Sequence, residues 1–291
     1  MGSSVAYGYE PATANASTTS GAKLLSHQFI GMNDWITPDW PAPGNIKALF
    51  TTRNGGKSSG PYTSLNLGDH VDDDLAIIKQ NRALLRRILP NEPRWLKQVH
   101  GTMPVRFDGD DCTVPCKGDA AFTLCAGNVC AVLVADCLPI LLCDQAGTVV
   151  GVIHAGWRGM ADGVIESTVS EIRRTCGINT RIMAWLGPAI GPHHFEVGEE
   201  VRQAFVKHDK NSVLAFLPHH AHSDGKWLAD LFLLARQRLM NADVTEIYGG
   251  GECTFSDPSR FFSYRRDGNT GRMAGLIWLT PIGHKETKRK K

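Results

Sequence analysis

The sequence predicts a single domain that combines β-strands with α-helices, and three observations carry that expectation. The middle of the chain holds three short, β-branched apolar runs, Val129 to Val134, Ile140 to Cys143 and Val149 to His154. Helical apolar patterns stand before and after them. No linker or fixed-period repeat divides Ile46 to Pro281. With 291 residues, 42% apolar and 21% charged, the chain has the make-up of a soluble protein able to bury a sizeable core.

Taken in order, residues 1–22 are rich in Ser, Thr, Ala and Gly and read as a disordered or added tail, because they lack the basic start and apolar run of a signal peptide. The domain is expected over 23–283, with a basic tail over 284–291. Ile46 to Thr52 reads as a strand ending in the Arg53-Asn54-Gly55-Gly56 loop. Asp72, Asp73 and Asp74 then offer an N-cap and a first turn whose charge suits the helix dipole, ahead of Ile77, Ile78, Leu84, Leu85 and Ile88 on one face. That helix is expected to end at Pro90.

The three apolar runs suit strands covered on both faces, and Asp144 to Gly147 suits a hairpin turn between two of them. After His154, Ile165, Val169, Ile172 and Cys176 recur at helical spacing, so the motif around His154 is a strand-to-helix junction. Ile182 to Leu186 reads as a strand and Gly187 to Pro192 as a rigid connector. A helix bearing Val197, Val201 and Phe205 follows, then a second amphipathic helix over Trp227 to Met240. Ala274 to Leu279 reads as the last strand.

A net charge of +2 gives no electrostatic footprint of a nucleic-acid binder, and the one basic run is the tail from Lys285 to Lys291. No stretch approaches the roughly 18 apolar residues of a membrane span, so a cytoplasmic protein is expected. Eight cysteines in so long a chain do not make a secreted disulfide scaffold, and most are expected as thiols. Cys125, Cys130 and Cys143 read as small buried hydrophobes. Cys112 and Cys116 lack the matching second pair of a zinc knuckle.

Three motifs carry the chemistry: Gln98-Val99-His100-Gly101, Ala135-Asp136-Cys137-Leu138-Pro139 and His154-Ala155-Gly156-Trp157-Arg158-Gly159. His100, Cys137 and His154 form a plausible ligand set for Zn²⁺ with the fourth position open, as catalytic zinc sites require. Their wide separation in the chain is no local zinc signature. Asp136 is placed either to orient a ligand from behind or to cap a turn. Arg158, at a helix start, suits an anion pocket. The clusters His193-His194 and His219-His220-x-His222 sit in polar segments and read as surface. Two other chemistries use the same residues. Cys137 and His154 suit a thiolate–imidazolium pair in a hydrolase, and two histidines with a cysteine suit copper, although a multicopper oxidase needs more paired histidines.

These motifs, with Thr51-Thr-Arg-Asn-Gly-Gly56, Ser64-Leu-Asn-Leu-Gly68, Gly187-Pro-Ala-Ile-Gly191 and Phe262-Ser-Tyr-Arg-Arg266, resemble the YfiH-like laccase-domain family over about residues 46–281. That family was labelled polyphenol oxidase and is associated with purine nucleoside phosphorolysis. The resemblance implies a single-domain α+β fold with mixed β-sheets flanked by helices, and a zinc held by His100, Cys137 and His154, which are also the catalytic residues. It further implies action on adenosine, inosine, guanosine and 5′-methylthioadenosine with phosphate, and deamination of adenosine.

For phosphate, the candidates within the shared motifs are Arg53, Arg158, Asn66 and Arg265, with Arg266 beside them, because guanidinium forks match phosphate oxygens. Arg53 and Arg158 rank first for their Gly-rich surroundings. The His-x-Glu and Pro-Cys-x-x-Cys signature of zinc deaminases is absent, so deamination would need other proton carriers, for which Asp136 and His70 are candidates. The alternatives are a Cys/His hydrolase editing peptidoglycan precursors, a copper polyphenol oxidase, and a zinc-binding regulatory protein without enzyme activity. Monomer and homodimer are both compatible with the sequence.

Overall fold

The apolar runs that show no alternation belong to strands with no solvent-facing side. In the computed structural model, which describes residues 34–108, 115–219 and 225–281, they enter two mixed sheets. The four-stranded sheet has the order Ile46–Phe50, Met273–Leu279, Val129–Val134, Pro93–Arg94. The six-stranded sheet has the order Glu246–Gly249, Ile182–Leu186, Leu138–Asp144, Val150–Ala155, Ala120–Thr123, Pro104–Arg106. Both have an antiparallel centre; the six-stranded sheet carries a parallel strand at each edge and the four-stranded sheet at one edge only, Pro93–Arg94. The fold is therefore a single α+β domain with mixed sheets and flanking helices.

Successive side chains of a strand point to opposite faces, and here each face has its own cover. Val132 and Val134 of one sheet meet Leu141, Val152, Met183 and Trp185 of the other in a shared core, together with Phe50 and Ile277. The alternate residues Ala131 and Leu133 pack outward with Leu276, Leu85 and Leu89. On the far side of the six-stranded sheet, Ile140, Leu142 and Ile153 pack with Val169 and Ile172 of the Val164–Cys176 helix and Leu234 and Leu239 of the Leu231–Asn241 helix. The layering is thus helix, sheet, sheet, helix. No helix among the described residues is long and apolar enough to cross a membrane.

Several expectations are met by named contacts. Asp74 caps the Leu75–Arg86 helix through the Ala76 N–H, although the helix stops at Arg86 rather than at Pro90. The Asp144 to Gly147 turn closes with Gly147 N–H on the Asp144 carbonyl at 3.2 Å, and the Asp144 carboxylate accepts from the Thr148 and Val149 N–H groups. Gly163, with φ 102°, splits the helical stretch after His154 into Trp157–Asp162 and Val164–Cys176.

Two expected helices are corrected at their starts. Val197 lies in the strand Glu196–Gly198, and the helix that carries Val201 and Phe205 spans Glu199–Val206. Trp227 lies in the strand Lys226–Ala229, which pairs with Glu196–Gly198 and Phe216–Pro218. The helix starts only at Leu231, where the Asp230 carboxylate accepts the Leu233 N–H. Cys125, Cys130, Cys137, Cys143, Cys176 and Cys253 are free thiols, and Cys116 is disulfide-bonded. Cys130 and Cys143 are buried as expected, whereas Cys125 is exposed. The tails 1–22 and 284–291, both ends of the 23–283 range, Cys112, His220 and His222 lie outside the described residues.

Candidate metal centre

Two connecting turns and the end of a strand bring His100, Cys137 and His154 together. Cys137 ends the crossing from Val129–Val134 of one sheet to Leu138–Asp144 of the other, a three-residue passage in which Asp136 takes φ 89°. His154 is the penultimate residue of Val150–Ala155. His100 follows the short strand Leu96–Lys97, and its turn is clamped by Gln98, whose amide donates to the Leu133 carbonyl at 2.9 Å and accepts the Leu133 N–H at 2.8 Å. Their ligand atoms all lie within 4.8 Å of one another. Zinc bonds to sulfur and nitrogen would set those atoms roughly 3.3–3.7 Å apart, so the set closes around an ion with a small contraction.

His154 is buried, and its Nδ1 lies 2.8 Å from Oδ1 of Asp119, which leaves Nε2 for a metal. Asp119 is itself fully buried. It also accepts the N–H groups of Val99, His100 and Gly101, the last at 2.7 Å, so one carboxylate fixes both imidazole ligands. Burial works against its charge, yet His154 and the Gly101 and Val99 N–H groups hold its pKa below the usual carboxylate range. Burial likewise acts to lower the His154 pKa, but Cys137 and Asp119 overcome it and raise it to about 9. For His100, burial and the neighbouring His154 charge lower the pKa.

Glycine is required in the third motif because the chain passes against the ligands. A Cβ at Gly156 would lie 2.7 Å from His100 Nδ1 and 3.2 Å from Cys137 Sγ, and one at Gly159 would lie 3.0 Å from the Gly101 carbonyl. Arg158 is exposed, stacks on the Trp157 ring at 4.6 Å and adds positive charge near His100.

The remaining expected residues divide differently. Asp136 does not orient a metal ligand; its carboxylate accepts Thr254 Oγ1 at 2.6 Å and the Arg265 N–H at 2.7 Å, so it staples the crossing that carries Cys137. Arg53 donates to the carbonyls of Thr63 and Pro258 and lies over the Phe262 ring. Asn66 is buried and spends its amide on Gly68, Asp73 and the Arg272 N–H. Arg265 donates to the Glu196 carbonyl, and Arg266 to the carbonyls of Thr254, Phe255 and Phe261. His70 lies beside Asp69, and burial followed by the Arg272 charge lowers its pKa. His193 and His194 line a cavity of about 420 Å³ with Asp230, Phe232, Arg236 and Cys253.

Sequence reasoning missed Asp119. A signal for Asp119 exists: Gly118-Asp119-Ala120-Ala121-Phe122 brings a carboxylate into an apolar run, which is costly unless the charge is paired.

Residues 47–280 match the family model described as multi-copper polyphenol oxidoreductase laccase. The chain belongs to this family. It is 49% identical over 249 residues to a protein named purine nucleoside phosphorylase PA4543 from Pseudomonas aeruginosa, covering 85% of this chain and 99% of that relative. It is 48% identical to purine nucleoside phosphorylase YfiH from Escherichia coli, covering 85% of this chain and all of that one. The crystal structure of Neisseria meningitidis protein NMB0706 is similar with a TM-score of 0.79 and 44% identity, over 86% of this chain and 100% of that chain. Members of this laccase-named family thus include proteins named for nucleoside chemistry.

Proposed function

We propose that this family member is a zinc-dependent purine nucleoside phosphorylase, acting on adenosine, inosine, guanosine and 5′-methylthioadenosine and also deaminating adenosine. The observation that carries the reading is the convergence of His100, Cys137 and His154 on one open site, in a chain nearly half identical to relatives named for this activity. In phosphorolysis a phosphate oxygen forms the new bond to ribose C1′, the glycosidic C–N bond breaks, and the purine nitrogen leaves with a proton.

A His₂Cys donor set with a carboxylate behind one histidine fits zinc, and bound zinc supplies a Lewis-acid centre. The chain does the rest. Asp119 holds the two imidazoles in register, Gln98 fixes the His100 turn to the strand that leads to Cys137, and Arg158 supplies positive charge beside His100. Burial and Arg272 favour neutral His70, which suits it to accept a proton. A single cluster of this kind among the described residues favours one zinc over the several coppers of a laccase.

The test is incubation of the zinc-loaded protein with adenosine and phosphate. Adenine with ribose 1-phosphate marks phosphorolysis and inosine marks deamination; appearance of none of these rejects the reading. A second reading, a Cys137/His154 hydrolase, is favoured by the closeness of the Cys137 sulfur to the His154 imidazole within the cluster. It requires turnover to survive chelation and vanish in Cys137→Ala, whereas the zinc reading requires loss in both.

A further inference from the structure

We propose that Arg272, a residue outside the expected phosphate set, is the phosphate-binding residue of this site, its guanidinium holding inorganic phosphate beside Cys137. The identity of the anion rests on the phosphorolysis reading; the placement of the residue does not.

The placement follows from strand register. Met273 pairs antiparallel with Val134, so the chain running back through Arg272 lies alongside the chain running forward through Ala135 and Asp136 to Cys137. The residue is held there from both ends. Its N–H donates to Asn66 Oδ1 at 2.9 Å, and its Nη1 donates to the carbonyls of Thr270 and Gly271. Its stem crosses Gly68 so closely that a Cβ there would sit 2.7 Å from Arg272 Cγ. The Asn66 and Gly68 positions of the Ser64-to-Gly68 motif therefore build a seat for this arginine.

What the guanidinium lacks is an anion. Among the described residues it forms no ion pair, and Nε and Nη2 donate to none of them, while its ring neighbour is Tyr264 at 6.0 Å. A half-buried guanidinium without a carboxylate partner is costly, and a phosphate with two oxygens toward the free edge would supply the missing pairing. Burial lowers its pKa, and the electrostatic influence of Cys137 and Asp136 opposes that. Among the competing arginines, Arg53 ties its loop to Thr63 and Pro258, Arg265 reaches the distant Glu196 carbonyl and Arg266 pairs with Asp267, whereas the Arg272 guanidinium bonds, among the described residues, only the carbonyls of its own two preceding residues. Arg158 is the remaining neighbour of the cluster and adds charge beside His100.

The test titrates inorganic phosphate into the zinc-loaded protein by calorimetry for the wild type, Arg272→Gln and Arg272→Lys, with metal content and thermal melting recorded for each. Lysine keeps the charge and the apolar stem over Gly68, so the comparison survives if the glutamine variant fails to fold. Arg272→Gln should weaken phosphate binding roughly ten- to hundredfold and Arg272→Lys by less, because a point charge replaces a fork. Zinc content should not change. In turnover the KM for phosphate should rise in parallel while the KM for the nucleoside stays put. Equal phosphate affinity in all three proteins overturns the proposal, as does loss of zinc together with phosphate. Binding of AMP without binding of inorganic phosphate overturns the assignment to free phosphate. Phosphate binding that depends on Arg272 without nucleoside cleavage keeps the assignment and rejects the phosphorolysis reading; cleavage whose phosphate KM ignores Arg272 does the reverse.

Discussion

Asp119 is a carboxylate with no exposed surface, and its partners explain why it stays charged: three backbone N–H groups and the His154 imidazole surround it. Asparagine has the same shape but turns one acceptor into a donor that faces N–H groups. Asp119→Asn should therefore lower zinc affinity about 10–100-fold, the usual cost of losing such a partner, as read by competition with a chromophoric chelator; an unchanged affinity would show that Asp119 only supports the turn. Gly156→Ala addresses the same site by sterics. Its Cβ would press on His100 Nδ1 at 2.7 Å, so bound zinc per chain should fall while the apo protein still melts cooperatively. The candidate ligands are legible in the sequence because histidine and cysteine advertise their chemistry wherever they stand, and the structure brings the three together. Asp119 is not legible, since 35 residues separate it from His154 and only the sheet pairs them. For Arg53 and Asn66 the motif displays less than the structure does. Their motifs point to function, but their polar atoms face the protein's own carbonyls, N–H groups and carboxylates, which no motif displays.

At the scale of elements, the long central strands were legible and the short ones were not. Val129–Val134, Leu138–Asp144 and Val150–Ala155 are buried at every position because sheets and helices cover both faces, and a nearly unbroken apolar run of this length has few other uses. Glu196–Gly198 and Phe216–Pro218 have three residues each, too few for any period, and the Trp227-Leu228-Ala229 stretch that pairs with them reads equally well as the first turn of a helix. The boundary is set by Asp230. Its carboxylate takes the Leu233 N–H at 3.0 Å while its own backbone stays extended, so Asp230→Ala should cost about 1 kcal/mol. The measurement is urea unfolding, in which the midpoint should fall at constant slope. The Gln98 clamp is an element-scale device as well. It joins the His100 turn to Leu133 through both halves of its amide, and Gln98→Ala strands that N–H and carbonyl. A loss of about 1–3 kcal/mol is expected, together with weaker zinc binding, since the turn that carries His100 is then held from Asp119 alone.

For the molecule as a whole, the site marks where the chain passes between its two large sheets. Cys137 ends the crossing from Val129–Val134 to Leu138–Asp144, His154 ends the neighbouring strand of the six-stranded sheet, and His100 hangs from a turn clamped to the four-stranded one. A metal bound by all three therefore ties the sheets together at one end, in addition to the apolar core they share. An ion that binds the folded chain and not the unfolded one stabilises it by about 2.7 kcal/mol when free metal exceeds the dissociation constant a hundredfold. For a domain of this size that corresponds to roughly 5–10 °C in Tm. Dialysis against a chelator should lower Tm by that amount and added zinc should restore it. Cys137→Ala, which leaves both histidines in place but opens the ligand set, should melt at nearly the same temperature with and without zinc. If the wild type is equally indifferent to zinc, the three side chains do not form a metal site, and the neighbouring thiol and imidazole are left as the chemistry of the crossing.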